Sequence, residues 1–205
     1  MNNQRNHIMI RVTALDSRPS AAIAAIAAVA FNPETGTIAD QMYCPVDIDS
    51  SQREGGTIDS GAFKYWLRQS AELRAELLPD VSLKLREALA KLNLFVLRQG
   101  EFGNCPVWFK RLDDDAPIIY SAMASTGIAP AWHYAHAHHV STLLEFIPVV
   151  VHGGCITMCD STPHSLLNDA LRHSQLITSA WHALSAMNAA YLNSVPVPLA
   201  MTERP

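Results

Sequence analysis

Charge is scarce in this chain. Asp, Glu, Lys and Arg make up 17% of its 205 residues, below the usual quarter of a globular protein. Apolar residues fill the gap at 49%, which excludes a disordered chain. An excess of base is lacking too: 15 Lys and Arg stand against 19 Asp and Glu, for a formal net charge of −4. A whole-surface electrostatic footprint for nucleic acid is therefore missing, and only a local basic groove stays open. No apolar run reaches the ~18 residues of a membrane-spanning helix, so no membrane partner is expected. The opening MNNQRN is polar, and the first Ala-rich run, Ala21 to Ala30, follows a strand and a turn rather than a leader's basic start. Cysteine is limited to Cys44, Cys105, Cys155 and Cys159. A chain with this much core does not need a disulfide framework. These absences lead to the expectation of a cytoplasmic protein with reduced thiols. The length suits one core, and we read a single domain over 1–188 followed by a proline-containing tail, 189–205. No internal repeat is present.

What is there begins with HIMIRVTA, residues 7–14. It reads as a strand, yet Arg11 sits between Ile10 and Val12, where a buried strand should carry no charge. The run AAIAAIAAVAF at 21–31 favours helix by composition. Asn32-Pro33-Glu34-Thr35-Gly36 overrides it, because Gly36 suits the positive φ of a hairpin turn. Strands are therefore predicted over 23–31 and 37–44. Phe63, Trp66, Leu67, Leu73 and Leu77 recur at helical spacing and predict one helix over 62–78, ended by Pro79-Asp80. Leu85, Leu89, Leu92 and Val96 predict a second. A strand over 105–109 and a helix over 116–125, with Pro117 in its first turn, come next. HYAHAHH at 133–139 reads as a loop or short strand leading into a helix over 140–147. A loop over 148–162 precedes the last helix. That helix starts near Thr162-Pro163 and runs to about Asn188, with Leu167, Ala170, Leu171, Ile177, Trp181 and Leu184 inward. The element order gives an α/β fold, a mixed sheet flanked by helices.

Two stretches carry a resemblance: AVAFNPETGTIADQMYCPVDIDS and GGTIDSGAFKYWLRQSAELR. They are similar to a D-P-x-T-G hairpin and an I-x-W-W-L-x-Q-S helix. On these motifs and the element order, residues 7–185 resemble the DEDDh 3′–5′ exonucleases of ribonuclease H-like fold. The closer likeness is to prophage exodeoxyribonuclease VIII-like and Rv2179c-type exoribonuclease domain proteins. The resemblance implies four carboxylates and a histidine around two Mg²⁺ or Mn²⁺ ions, hard cations that take oxygen ligands. The first two acids of the family lie in a strand similar to M-I-D-L-E-T. Here that strand is MIRVTA, with Arg11 at the aspartate position and Thr13 at the glutamate position. VWFKRLDDDAPII resembles V-W-G-N-G-x-x-F-D-N-x-I-L and puts Asp115 at the third acid. PHSLLNDA resembles A-H-N-A-L-x-D-A and puts His164 at the general base and Asp169 at the last acid. The family's W-G-N-G is replaced by Trp108-Phe109-Lys110-Arg111.

Arginine keeps its proton in a protein and offers no lone pair. Arg11 thus places a positive charge where a divalent cation would sit. At ~4 Å and an effective dielectric of ~20, each unit-charge pair is worth roughly 4 kcal/mol. Thr13 supplies only a neutral oxygen. No metal cofactor is expected, and Arg11 is expected to neutralise Asp169, and with it Asp115, in place of the metals. An exposed edge-strand position for Arg11 and Thr13 is the plain alternative. His164 and Asp169, five residues apart, would lie ~140° apart on one helix, so they share a site only if His164 lies in the entry loop.

Weaker patterns remain. His133, His136, His138 and His139, or Cys155 and Cys159 in CxxxC spacing, suit Zn²⁺ or Ni²⁺ by residue type, but polar surface and incidental thiols explain them as well. Asp113-Asp114-Asp115 also suits a helix N-terminus. Three functions stand open: an inactive or very weak exonuclease-fold protein binding single-stranded nucleic-acid ends or a protein, with Arg11, Lys110 and Arg111 on phosphate; an active exonuclease with a rearranged site using Asp115, Asp169 and Asp16; and a prophage-type interaction module or inhibitor. Analogy with relatives adds a homodimer.

Overall fold

A computed structural model describes residues 6–77, 79–100, 104–110, 115–145 and 165–194. Five strands form one sheet: β1 (His7–Ala14), β2 (Ile23–Phe31), β3 (Ile38–Pro45), β4 (Val107–Phe109) and β5 (Ala137–His139). Their order is β3-β2-β1-β4-β5. The first three are antiparallel, and β4 and β5 run parallel to β1. The helices are α1 (Ile48–Arg53), α2 (Ser60–Leu67), α3 (Ala71–Leu77), α4 (Leu85–Gln99), α5 (Asp115–Thr126), α6 (Val140–Glu145) and α7 (Leu166–Ser194). This is the α/β mixed sheet with flanking helices that the sequence predicts.

Strand alternation divides the core between the two faces. Ile8, Ile10 and Val12 of β1, with Ile23, Ile26, Ala28 and Ala30 of β2, pack with Leu85, Leu89, Leu92 and Val96 of α4 and with Ile118 and Ile119 of α5. On the other face Met9, Ala25, Ala27, Val29 and Phe31 pack with Ala170 and Ile177 of α7. The Ala-rich run is thus a strand with both faces covered, and every residue of β2 is buried. Helix propensity loses because the chain is paired on both edges and because small side chains let α7 lie close. The turn that forces this is formed as expected. Asn32 Oδ1 accepts the Glu34 and Thr35 amides at 2.8 and 3.1 Å, and Gly36 has φ +72°.

Two predicted elements differ, and one helix is additional. The single helix over 62–78 is two helices, α2 and α3. The Ser70 carbonyl and hydroxyl accept the Arg74 and Leu73 amides, so Ser70 caps a new helix where periodicity alone predicts continuation. Phe63 and Leu67, two of the residues at helical spacing, are 57% and 55% exposed. Trp66 does pack, against Leu15, Ala22 and Ala24. The short α1, capped by the Asp47 side chain, is missing from the sequence reading. The last helix begins at Leu166, not near Thr162-Pro163, and continues to Ser194 rather than ending near Asn188. Ser165 is not helical and caps it, its hydroxyl accepting the Asn168 amide at 3.3 Å and its carbonyl the Asp169 amide.

Candidate functional site

β1 is a central strand, so Arg11 is no edge residue. It is 8% exposed, as is Thr13, and Asp115 is 1% exposed. Alternation places Arg11 and Thr13 on the α7 face, with Ala27 and Ala25 directly opposite on β2. Two alanines beside the pair leave room for a guanidinium to lie along the sheet.

Two acids reach that guanidinium from different helices. Asp169, in the first turn of α7, accepts from Arg11 Nε through Oδ2 at 2.7 Å. Asp115, the first residue of α5, accepts from Arg11 Nη1 through Oδ2. The other Asp115 oxygen, Oδ1, accepts the Val12 amide at 3.3 Å. That amide is open to a side chain because the parallel pairing of β1 with β4 is recorded at Ile8 and Met9 and not beyond, among the described residues. Both acids also lie at helix N-termini, where the helix dipole favours negative charge.

Burial pushes the Asp169 carboxyl up, but a hydrogen bond from His173 and the charge of Arg11 outweigh it. The group is held well below the ordinary carboxylate range. His173 sits one turn on, 5% exposed. Its Nδ1 lies 2.7 Å from the Asp169 carbonyl and 3.4 Å from Asp169 Oδ1. Sequence reasoning missed His173; its only signal is the four-residue spacing from Asp169.

The other named positions separate. Lys110 is half-buried just past β4, and its carbonyl accepts the Ser141 amide. Arg111, Asp113, Asp114, Cys155, Cys159 and His164 lie outside the described residues. Asp16 is committed elsewhere: Arg18 Nε and Nη2 reach it at 2.8 and 2.5 Å and Thr57 Oγ1 at 2.7 Å. These bonds hold its carboxyl well below the usual range.

The histidine run does not converge either. His133 caps a short turn of helix through the Ala135 amide, and His138 packs against Trp108 at a ring distance of 4.9 Å. Among the described residues no three His, Cys, Asp or Glu gather as a metal site. His7 is a second missed residue. Its Nδ1 accepts the Trp108 indole N–H at 3.0 Å. Burial, and then His138, pull its pKa down to about 4, so it is neutral and able to accept.

The donors present do not fit a divalent pair. A guanidinium bonded to both Asp115 and Asp169 supplies the positive charge between them and has no oxygen or lone pair for a metal.

The model of the 3′-5′ exoribonuclease Rv2179c-like domain matches residues 6–181. No curated protein matches the chain.

Proposed function

Because the chain belongs to the 3′-5′ exoribonuclease Rv2179c-like domain family, we propose that it is a member that binds rather than hydrolyses, a pseudo-exonuclease. The observation that supports this most is the double bond of Arg11 to Asp115 and Asp169. Hydrolysis by two metals needs cations that align a water and stabilise the leaving oxygen. Here a fixed cation that can do neither neutralises the two acids. The partner in this reading is a single-stranded nucleic-acid end. Arg11 Nε and Nη1 are taken by the acids, so phosphate contact falls first to Lys110 and Arg111. A cytoplasmic location goes with this reading. So does descent from the prophage exonuclease-like proteins that the motifs resemble.

A second reading, a protein-interaction module, is favoured by the net charge of −4 and by the exposed Phe63, Tyr65 and Leu67 of α2. One experiment separates the readings. Purified protein is incubated with single-stranded RNA and DNA in Mg²⁺ or Mn²⁺, and binding is measured at two salt concentrations. Salt-sensitive binding without digestion supports the first reading. Neither digestion nor binding moves the choice to the second. Robust metal-dependent digestion that Asp169→Ala abolishes overturns both.

A further inference from the structure

The family domain ends at residue 181, but α7 does not. The helix runs on to Ser194, and residues 185–194 are exposed throughout. This extension is unusual in composition. No Asp, Glu, Lys or Arg occurs between Arg172 and Glu203. A helix end standing in water normally carries charged residues, whose i,i+4 pairs hold it and keep it soluble. A few turns without them are marginal alone.

The apolar side of the extension continues a seam already in use. His173, Ile177 and Ala180 are buried against the body of the protein. The same seam continues through Leu184, Met187 and Tyr191, at alternating spacings of four and three residues. Met187 and Tyr191 are 51% and 65% exposed. Leu192 adds a further exposed apolar side chain beside the seam, at 63%, while Ala183 and Ala190 flank it with small side chains that permit close approach.

We propose that residues 182–194 of α7 form a self-association surface, pairing antiparallel with the same segment of a second copy of this chain about a two-fold axis. The absence of charge selects the partner. Nucleic acid is disfavoured because the segment has no Lys or Arg for phosphate. A membrane surface is disfavoured because interfacial helices carry a strongly charged, usually basic, polar face. An unrelated protein is normally selected by complementary charge, which this surface does not offer. A copy of itself needs only self-complementarity: a neutral apolar seam meets its equal without like-charge repulsion. Antiparallel pairing also opposes the two helix dipoles. A standard interface removes about 800 Å² per partner. The exposed turns alone supply less, so the dimer dissociates on dilution, in the micromolar range. The inference stands whether or not the domain hydrolyses nucleic acid.

The test is sedimentation equilibrium of the full chain over a wide concentration range, with thermal melting as a folding control. The wild type should shift from the monomer mass of 22.5 kDa toward twice that value. Met187→Glu with Tyr191→Glu sets like charges across the two-fold axis. That pair should weaken dimerisation about tenfold or more without changing the melt, because both side chains lie outside the packed domain. Ala189→Glu, on the opposite side of the helix, should still dimerise. A wild type that stays monomeric throughout overturns the proposal. So does a dimer that the Glu pair leaves intact, or one that Ala189→Glu disrupts equally.

Discussion

Arg11 Nε and Asp169 Oδ2 are separated by 158 residues of sequence and 2.7 Å of space. The same guanidinium reaches Asp115, so a single side chain ties β1 to the first turns of α5 and α7. The position that the family resemblance assigns to metal ions is thereby a cross-brace between three elements.

Arg11→Ala should destabilise the protein by about 3–5 kcal/mol, the usual result of leaving buried charge unpaired. Two carboxylates would then face each other with no cation between them. Urea unfolding at neutral pH measures the loss. Added Mg²⁺ should recover part of it in the variant and have little effect on the wild type. Arg11→Lys should recover less than full stability, since an ammonium cannot reproduce the forked donor geometry.

Placing acids at both positions should behave differently from placing one. Arg11→Asp with Thr13→Glu should bind Mn²⁺ by calorimetry and gain measurable digestion of single-stranded substrate. Arg11→Asp alone should bind the metal more weakly and stay inactive, because the second carboxylate is still missing. Equal activity of the single and double variants would show that Thr13 does not occupy the place assigned to it.

His7 should stay uncharged down to acidic pH. Its folded pKa of about 4 lies below the ordinary value near 6.5. The unfolded chain therefore takes up a proton first as pH falls. Stability from this group is complete above about 6.5 and is lost progressively toward 4, by about 3 kcal/mol in total. Asp169 acts in the same direction at lower pH: its depressed carboxyl gives stability that is present above the ordinary carboxylate range and lost as pH falls through the folded value. An imidazole NMR titration resolves the His7 midpoint, and urea unfolding at stepped pH follows the loss. A His7 midpoint near 6.5 would contradict the burial argument.

Gly36→Ala should destabilise by about 1–2 kcal/mol. The residue has φ +72°, where a side chain is strained. An added Cβ would also come to 3.3 Å from Thr178 Cγ2 of α7. Chemical denaturation of the variant checks this, with Gly127→Ala (φ +68° and nothing within 4 Å) separating the backbone contribution from the contact.

The strands and the ion pair were legible because each had a local rule behind it. Asn32 to Gly36 demands a turn, and a turn demands strands on both sides, which outweighed the helix preference of seven alanines between Ala21 and Ala30. Arg11 was legible through the motif register, and the partner acids through theirs. The break at Arg68 to Ser70 was hidden by periodicity, although Ser70 followed by Ala71-Glu72 is itself a helix-start signal. The length of α7 was hidden for the opposite reason: nothing stops it, since neither Gly nor Pro occurs between Pro163 and Pro196. His7 and Trp108, 101 residues apart, have no sequence pattern that announces their bond. Only the parallel register of β1 and β4 brings them together.

That register ends early, and its ending matters beyond the site itself. β1 and β4 run side by side at Ile8 and Met9; past that point Val12 turns its amide to a side chain of α5. Asp115 is fastened to β1 by main chain as well as by Arg11. Its tie to β1 does not rest on the guanidinium alone. Exchanging residue 11 would therefore rewrite the charge between Asp115 and Asp169 while sparing the main-chain bond that ties Asp115 to β1.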